Sequence, residues 1–594
     1  MKTNTPVENS SVTLLKYPAL LVTLALLSCI ALPVKSQEVN LRFVETSDIH
    51  GNYYPYDFIG QKSSSGGLSR VYSLVKEGRK TYGDKLVLID NGDILQGQPS
   101  AYYYNYIDTV SRHLCAEMMN YMGYDAGNMG NHDIETGRTV FDRWIGDCDF
   151  PVLGANIIDA GTGEPYLKPY IMLERDGFRI AIMGMITPAI PVWLSENLWK
   201  GLRFDDMEST ARYWMNIIRE KEKPDLIVGT FHAGRNPSLL GGKYMDNASL
   251  QIAKNIPGFD IVMMGHDHSA FCEQVTNVEG KRVWVVNPAN NGSLVAVIDA
   301  SLQKRNGTTV KEIQARLEKT DAYEPDPEFL NRFDMQYNVI KDFVGRKIGT
   351  FSETISTRES FFGPSGFVDF IHNVQLETTG ADISFVAPLV FDTEVKKGDI
   401  NMSDLFKLYK YENMLYVMNL TGKEIKDYLE YSYYTWTNQM KKPEDHLLNL
   451  NDYAGEYERI DGRTNFIRFS YNYDSAAGIL YTVDVTRPRG EKIQIASMAD
   501  GTPFDPDKTY RVAVNSYRGN GGGELLTKGA GIPQEKLSER IVYSSDKDLR
   551  YILMRYIEKN NHIDPLPLNQ WMFEPREWVI PAGKRDYNYL FPSN

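Results

Sequence analysis

The sequence predicts an α/β protein built from two units that are joined by a helix. From Leu41 to about Leu302, short apolar runs rich in branched side chains alternate with amphipathic segments, a pattern typical of strands and helices in turn. A proline-containing stretch and a charged helical segment then interrupt the alternation, and a second α/β pattern begins at Arg346. The length of 594 residues agrees with more than one domain, because single hydrophobic cores rarely extend beyond about 300 residues.

Five apolar runs in the first unit are predicted strands. Each spans a few residues, carries mostly apolar or branched side chains, and is followed closely by Gly, Asp or Ser. The runs are residues 41–46, 86–89, 180–183, 226–228 and 261–264. Functional sites in open α/β sheets assemble at the carboxyl ends of the strands, so we expect chemistry in the residues that follow these runs.

The predicted organisation has five parts along the chain. Residues 321–327 contain two prolines and form a linker, and residues 328–344 predict an exposed, charged helix that acts as a spacer or hinge. The Tyr-rich residues 101–106 predict a packed helix face. The parts are an export signal at 1–36, a first domain at 37–320, a linker helix at 321–345, a second domain at 346–581 and a tail at 582–594.

The N-terminus has the pattern of an export signal. Lysines precede an uncharged run at residues 17–34, and Lys35 ends it. Val34 and Ser36 predict cleavage after Ser36, and hence export to the periplasm or the cell surface. Two alternatives remain: a lipoprotein cleavage box that ends at Cys29, which fits poorly, and an uncleaved anchor, since the run is just long enough to span a bilayer.

Composition limits the partners of the exported chain. The net charge of −13 argues against binding of a nucleic-acid polymer, because the phosphate backbone would be repelled. An anionic substrate therefore needs a local positive site. No later segment is long and apolar enough to predict a membrane span. Cys115, Cys148 and Cys272 are three cysteines that cannot all pair internally, so at most one disulfide is expected among them.

Short polar segments at the ends of apolar runs predict a metal site. They are residues 46–52, 90–93, 130–133 and 265–268, with His232 as a fifth contributor, and they contain five of the nine histidines. No single segment would hold an ion tightly. Together they supply oxygen and nitrogen ligands for two divalent cations that share one carboxylate, an arrangement suited to in-line attack on a phosphate ester.

The ligand chemistry suggests how the two ions divide the residues. Asp48 and His50 are two apart, so on an extended backbone they point to the same side, and Asp93 closes a Gly-containing turn with lone pairs for two cations. Mixed oxygen and nitrogen ligation fits Zn, Mn, Co or Fe. We expect one ion on Asp48, His50, Asp93 and His268, and the other on Asp93, Asn131, His232 and His266.

His132 has no evident place in this ligand set. Beside Asn131 it would point at the substrate, stabilise charge on the phosphoryl oxygens and protonate the leaving oxygen. Glu135, three residues on, lies within reach if the segment is helical, and would favour the charged imidazolium. The alternative for Glu135 is a carboxylate that only complements the dipole at the start of a helix.

These motifs resemble those of the calcineurin-like metallophosphoesterases, and the two-domain layout is similar to that of the exported 5′-nucleotidase superfamily. The resemblance implies a metallophosphoesterase β-sandwich flanked by helices, joined by a linker helix to a second α/β nucleotide-binding domain. It also implies hydrolysis of nucleotide phosphoesters. Within the superfamily, the segments most similar to the 2′,3′-cyclic-nucleotide 2′-phosphodiesterase/3′-nucleotidase branch are residues 45–50, 56–58, 67–70 and 90–99.

In the second domain, the resemblance extends to residues 381–388 and to Tyr411-Glu412-Asn413, from which Asn413 is expected to contact substrate. Residues 470–474 and 515–523 resemble base-stacking regions of the superfamily, and the small-residue turn that follows the first favours Tyr473 over Tyr471. By this resemblance, Tyr473 and Tyr517 would sandwich the nucleobase, the alternative being that both tyrosines pack in the domain interior. Because catalytic and base-binding residues lie on different domains, rotation about the linker is expected to open and close the site.

Two departures from the family pattern bear on the substrate. The 5′-nucleotidase branch usually has an Asn-x-Gly-x-x-Arg element where residues 387–392 lack an arginine, and it usually has Asp where this chain has Glu135. We therefore expect a nucleotide or cyclic-nucleotide substrate, with a 5′-nucleotidase/UDP-sugar hydrolase as the enzymatic alternative. The alternative of another class is a non-catalytic nucleoside- or glycan-binding surface protein. The sequence makes no prediction of oligomeric state.

Overall fold

The computed structural model describes residues 37–450, 466 and 468–592, so the predicted export signal lies outside the described residues. The N-terminal domain is built on two six-stranded sheets. In spatial order, the first sheet contains Thr308–Lys319, Leu294–Arg305, Glu38–Thr46, Leu86–Asp90, Ala126–Asn128 and Val152–Leu153. The second contains Phe271–Thr276, Arg282–Asn287, Ile261–Met264, Leu226–His232, Phe178–Ile186 and Tyr170–Arg175. All five predicted strands are present.

The two sheets pack face to face. Alternate residues of each strand point to opposite sides, so Phe43 and Val87 of the first sheet meet Ile182 and Val228 of the second in one buried cluster. The outer faces are covered by helices in two further clusters. These helices are Leu68–Tyr82, Leu114–Met122, Arg138–Asp147, Met207–Ile217 and Ser249–Asn255. The predicted β-sandwich flanked by helices is confirmed.

Parallel strands at the centre of each sheet bring distant loops to one edge. Glu38–Thr46 pairs in parallel with Leu86–Asp90, which pairs in parallel with Ala126–Asn128. In the other sheet, Leu226–His232 pairs in parallel with Ile261–Met264. Because parallel strands end on the same side, the loops that follow them are neighbours although they are far apart in sequence.

The linker contains two helices, Pro327–Arg332 and Asp334–Gly345, that pack on the N-terminal domain. Ile340 is buried in the N-terminal core, and the ring of Tyr337 lies 5.3 Å from that of Tyr54 and 5.4 Å from that of Phe58. The expectation of an exposed helix was therefore wrong for one face, because the aromatic and aliphatic residues among the charges form an apolar stripe.

The C-terminal domain is a second α/β unit around a five-stranded mixed sheet. In spatial order its strands are Ser475–Ala477, Ile383–Val386, Thr509–Asn515, Met414–Thr421 and Ile541–Asp548. Two three-stranded sheets flank it, made of Gly398–Asn401, Lys347–Phe351 and His562–Ile563, and of Ile493–Met498, Ile479–Asp484 and Trp571–Glu574. The longer helices are Gly366–Thr379, Met402–Leu408, Gly422–Trp436, Leu549–Asn560 and Arg576–Leu590.

The last helix corrects the predicted tail. Arg576–Leu590 runs through the expected boundary at residue 581, and Leu590 packs in the domain core. The buried Asp586 accepts a hydrogen bond of 2.9 Å from the amide of Leu448, so the helix is tied to the domain beyond that boundary. Among residues 37–450, 466 and 468–592, no helix combines the length and the apolar character that a bilayer crossing requires.

The packing of the linker generates the first prediction. Ile340→Ala removes a fully buried side chain at the interface of the linker helix with the N-terminal core, and should lower the free energy of unfolding by about 2–5 kcal/mol. Val339→Ala, one residue earlier on the exposed face, should change it by less than about 1 kcal/mol. Urea denaturation followed by tryptophan fluorescence measures both, and equal effects would show that the helix does not belong to that core.

Candidate metal centre

The loops after the parallel strands are locked together by backbone hydrogen bonds. The amide of Asp48 donates to the carbonyl of Gly92, and the amide of His50 donates to the carbonyl of Asp93, each at 2.9 Å. Asp48, His50 and Asp93 have positive φ angles of 52°, 49° and 57°. Side chains other than glycine adopt this region at an energetic cost, and such strain concentrates at functional sites. His266 and His268 share the feature, with φ of 73° and 54°.

The first group of candidate ligands consists of Asp48, His50 and His268. The Nε2 atoms of the two histidines lie 2.9 Å apart, and Nε2 of His268 lies 3.2 Å from Oδ1 of Asp48. One ligand atom from each residue falls within 4.8 Å of the other two. These are three of the four residues expected on the first ion.

The second group consists of Asp93, His232 and His266, whose ligand atoms also lie within 4.8 Å of one another. Nε2 of His232 is 3.0 Å from Oδ2 of Asp93 and 3.2 Å from Oδ1 of Asn131. The structure thus brings the four residues expected on the second ion to one place.

The hydrogen bonds of two histidines direct one nitrogen of each ring toward the other candidate ligands. Nδ1 of His232 donates to the carbonyl of Asn91 at 2.7 Å, and Nδ1 of His50 donates to the carbonyl of Gln96 at 3.2 Å. Nε2 of each ring is then the atom that faces the other candidate ligands, and it offers a lone pair whenever the ring is neutral. Oδ2 of Asp93 is buried and lies 3.0 Å from Nε2 of His232. A divalent cation can take the place of the protons that hold these buried nitrogen and oxygen atoms together.

The pKa values of the candidate ligands agree with the binding of a cation among them. Burial opposes ionisation of Asp93, but His232 and His132 outweigh it and hold the pKa of Asp93 well below its usual range. Burial together with His268 lowers the pKa of His50 to about 3, so this ring is neutral and free to coordinate. For His232, Asp93 and Asp48 outweigh burial and raise the pKa to about 10, so a cation bound there releases a proton.

Asp133 and Gly130 hold the loop that carries Asp93, although the sequence assigned neither a role. The two carboxylate oxygens of Asp133 accept from the amides of Asp93, Ile94, Leu95 and Gly130 at 2.8–2.9 Å. A Cβ on Gly130 would lie 2.2 Å from the amide nitrogen and from Oδ1 of Asp93. Only glycine permits this approach.

Asp246 is a site residue that sequence reasoning missed. It is buried, its Oδ1 lies 3.4 Å from Nε2 of His266, and Thr187 donates to it at 2.7 Å. On the other side, the ring of Trp193 lies 5.4 Å from that of His266. Asp246 ends the short strand Tyr244–Asp246 and belongs to no recognisable motif, so only the fold identifies it as the residue that orients His266.

His132 and Glu135 form the expected pair at the edge of the two groups. The helix Asn131–Glu135 brings Nδ1 of His132 within 2.5 Å of Oε2 of Glu135, and the amide of His132 donates to Oδ1 of Asp93 at 2.7 Å. Burial lowers the pKa of His132, but Asp93 and Glu135 outweigh it and raise that pKa to about 10. The imidazolium is therefore available as a proton donor, and its ring lies 5.4 Å from that of His50.

The C-terminal domain presents tyrosines to this site. The ring of Tyr411 lies parallel to that of His132 at 6.4 Å between centroids. Tyr471 lies edge-on to both Tyr411 and Tyr517, at 6.5 Å with an interplanar angle of 82° and at 6.3 Å with an angle of 85°. Tyr411 and Tyr517 are half-buried, and the ring of each is nearly perpendicular to that of Tyr471. Asn413 is buried two residues after Tyr411, and its carbonyl accepts from the amide of Leu549 at 2.8 Å.

Tyr473 does not occupy the expected position. It is fully buried, its ring stacks on Trp436 at 5.6 Å, and its hydroxyl donates to the carbonyl of Arg468 at 2.8 Å. This is the environment of a core residue, which was the alternative for this tyrosine. A short 3₁₀ turn at Ser470–Asn472 redirects the chain, so Tyr471 and Tyr473 face different surroundings.

Arg518 joins the two segments that carry Tyr471 and Tyr517. Its guanidinium donates to the carbonyls of Tyr471 and Gly522 at 2.7 and 2.5 Å and pairs with Asp474 at 3.0 Å. All of these contacts are buried or nearly so. One planar group thus fixes the relative position of the two rings.

Comparison with known proteins follows the same division of the chain. Residues 41–270 match the family of calcineurin-like phosphoesterases, and residues 347–528 match the 5′-nucleotidase C-terminal domain. The chain belongs to the metallophosphoesterases that combine these two domains. It is a metal-dependent hydrolase of phosphoric esters.

Individual relatives extend the similarity over almost the whole chain. A 2′,3′-cyclic-nucleotide 2′-phosphodiesterase/3′-nucleotidase of Yersinia enterocolitica is 28% identical over 93% of this chain and 91% of its own. Protein UshA of Escherichia coli K12 is 24% identical, over 94% of this chain and 97% of its own. A crystal structure of a putative 5′-nucleotidase from Staphylococcus aureus has the same fold, with a TM-score of 0.74 at 22% identity, covering 90% of this chain and 99% of that one.

The contact between Asp246 and His266 generates the second prediction. Asp246→Asn keeps the shape but removes the charge beside His266, and should weaken metal affinity or activity about ten- to hundredfold. Titrating the metal-free protein with Mn or Zn while following phosphate release measures the effect. Glu279→Gln, a change of the same kind on a half-exposed surface side chain, is the control. An unchanged metal dependence in Asp246→Asn would contradict the orienting role.

Proposed function

We propose that this enzyme hydrolyses 2′,3′-cyclic nucleotides and 3′-nucleotides. The observation that carries the proposal is the meeting of two ligand groups and a proton donor, His132, with the tyrosines of the C-terminal domain. Several relatives along nearly the whole chain bear the name 2′,3′-cyclic-nucleotide 2′-phosphodiesterase/3′-nucleotidase, at 25–28% identity. A site for phosphate next to a site for a flat ring fits such substrates.

The proposed cofactor is a pair of divalent ions, with Zn, Mn, Co and Fe all compatible with the mixed ligands. The first would be held by Asp48, His50, Asp93 and His268, and the second by Asp93, Asn131, His232 and His266. Two such ions polarise the phosphoryl group and lower the pKa of water enough to give a nucleophile near neutral pH. The protein contributes the fixed positions of the ligands and the strained loops that carry them.

His132 is the proposed general acid. Its Nδ1 is held by Glu135, so Nε2 is the atom that donates a proton to the leaving oxygen of the ester. The hydrogen bond from its own amide to Asp93 ties the position of the ring to the metal ligands. Glu135 keeps the ring charged and in one orientation, which is the role expected of an aspartate in related enzymes.

We propose Tyr411 and Tyr517 as the pair that sandwiches the nucleobase, with Tyr471 closing the edge of the site. The perpendicular position of Tyr471 to both rings supports this assignment, and it replaces the expected role of Tyr473. Stacking on two rings tolerates different bases. Asn413 stays a predicted substrate contact, since it lies two residues from Tyr411.

The segment 387–392 supports the 3′ over the 5′ assignment. It contains no arginine; Phe391 packs 5.1 Å from the ring of Phe591, and Asp392 pairs with Arg358 at 2.7 Å. The segment therefore offers no cation to a substrate. The similarity to protein UshA keeps a 5′-nucleotidase as the alternative that the substrate panel decides.

Export and domain motion complete the proposal. The apolar run and cleavage pattern within residues 1–36 support secretion to the periplasm or the cell surface.

Because the linker helix packs on the N-terminal domain, a rotation between domains would pivot at its end, near Gly345, rather than along the whole linker.

The third prediction concerns reaction and metal. Among 3′-AMP, 2′,3′-cyclic AMP and 5′-AMP, phosphate should be released fastest from 3′-AMP. With 2′,3′-cyclic AMP, opening of the cyclic phosphate should precede the release of phosphate. Removal of metal with EDTA, or Asp93→Ala, should reduce turnover roughly a thousandfold, since the ions supply several kcal/mol of transition-state stabilisation.

Asp176→Ala, at a half-exposed aspartate far from the ligand groups, is the matched control and should retain activity. Elemental analysis of both variants should show loss of metal in Asp93→Ala alone. Preference for 5′-AMP would establish the alternative function. Full activity of Asp93→Ala, or after chelation, would contradict the two-metal mechanism.

The fourth prediction concerns the base. Tyr411→Ala and Tyr517→Ala should each raise KM for 3′-AMP roughly five- to hundredfold, as expected for a loss of about 1–3 kcal/mol per stacked ring. Both variants should hydrolyse glycerol 2-phosphate, which has no ring, at almost the same rate as the unmodified enzyme. Tyr543→Ala, at an exposed tyrosine of the same domain, is the control. Equal losses on both substrates would exclude a stacking role.

A further inference from the structure

The segment before the strand Met414–Thr421 is held by one buried arginine. Arg550, second residue of the helix Leu549–Asn560, donates through Nε to the carbonyl of Tyr409 at 3.0 Å and through Nη2 to the carbonyl of Lys410 at 2.7 Å. Its Nη1 donates to Oε1 of Glu412 at 2.8 Å. Three separate donors of one guanidinium therefore bind residues on both sides of Tyr411, two before it and one after it.

Two aromatic rings, in edge-to-face contact with each other, also pack against the same guanidinium. Phe406 of the C-terminal domain lies 4.1 Å from its central carbon, and Tyr102 of the N-terminal domain lies 4.9 Å away. Tyr102 belongs to a helix that starts at Pro99, directly after the loop that follows Asp93. Arg550 thus contacts aromatic residues of both domains, and one of them is close in sequence to the metal ligands.

The degree of burial argues that this cluster is built for position. The Arg550 side chain is 1% exposed and that of Glu412 is 5% exposed. A buried ion pair adds little net stability, because desolvation offsets the attraction, so stability alone does not account for it. Its planar, multi-donor geometry instead specifies where the bound carbonyls lie.

We infer that Arg550 is a positioning residue for nucleotide recognition. It sets the ring of Tyr411 against the base, and the ring of Tyr102 fixes the position of Arg550 relative to the catalytic domain. The inference rests on the proposed function, in which Tyr411 contacts the base. It adds a residue that touches neither substrate nor metal ligand. Lysine in its place retains the charge for Glu412 but cannot bind two carbonyls and a carboxylate in one plane.

The test is a double-mutant cycle on the full-length enzyme with two substrates. Arg550→Lys should lower kcat/KM for 3′-AMP about ten- to hundredfold, as expected when a substrate contact is displaced, mainly through KM. It should lower kcat/KM for glycerol 2-phosphate by less than threefold. In a Tyr411→Ala background, Arg550→Lys should lower kcat/KM for 3′-AMP by less than about a further twofold, because the two residues act through one contact.

Arg555→Lys is the matched control, since Arg555 is an exposed arginine on the same helix that pairs with Glu558. It should leave both substrates unchanged. If Arg550→Lys does not fold, as judged by circular dichroism, Glu412→Gln takes its place in the cycle, because it weakens the same clamp from the other side. A selective, non-additive loss in either variant supports the inference.

An equal loss on both substrates, or a loss that persists in the Tyr411→Ala background, overturns the positioning role and leaves Arg550 as a structural residue. Failure of the proposed function gives a different result. In that case the unmodified enzyme releases phosphate from glycerol 2-phosphate but shows no preference for any nucleotide, before a variant is made.

Discussion

Buried carboxylate and imidazole groups that crowd into one place are the constraint around which this molecule is arranged. Carboxylate and imidazole atoms meet within 4.8 Å in each ligand group, and keeping them buried there requires compensating positive charge, from protons or from cations. The surrounding structure holds the loops in place. Parallel strands deliver the loops to one edge, and Asp133 binds four backbone amides on two of the loops at once.

The same constraint explains the backbone strain at the site. Five candidate ligands have positive φ, a conformation that persists only where packing over-determines it. Directly beneath them lie the fully buried strands of both sheets, whose apolar contacts stabilise the loops they carry. Strain and charge are therefore concentrated on a rigid base, which holds the ligand atoms ready for ions rather than letting them rearrange.

The C-terminal domain uses a different device to hold its tyrosines. Arg518 and Arg550 each place a buried guanidinium against backbone carbonyls, and each binds the segment that carries an aromatic residue of the proposed base site. The planar guanidinium fixes the positions of the groups that it binds. This suits a site whose main attraction, ring stacking, has little directional preference. Recognition then depends on where the rings stand, and the arginines decide that.

The ligand motifs and the two α/β units followed from the sequence, because strand periodicity and strand-end polar residues are local signals, whereas the β-sandwich was expected only from the family resemblance. The pair His132 and Glu135 followed for the same reason, being one helical turn apart. Tyr411, Asp246 and Arg550 did not, since their roles depend on contacts between residues far apart in the chain. The predicted position of Tyr473 was wrong, because a turn that the neighbouring residue types do not predict directs its side chain into the core. Local order is encoded locally, whereas the direction of a side chain is decided by what packs against it.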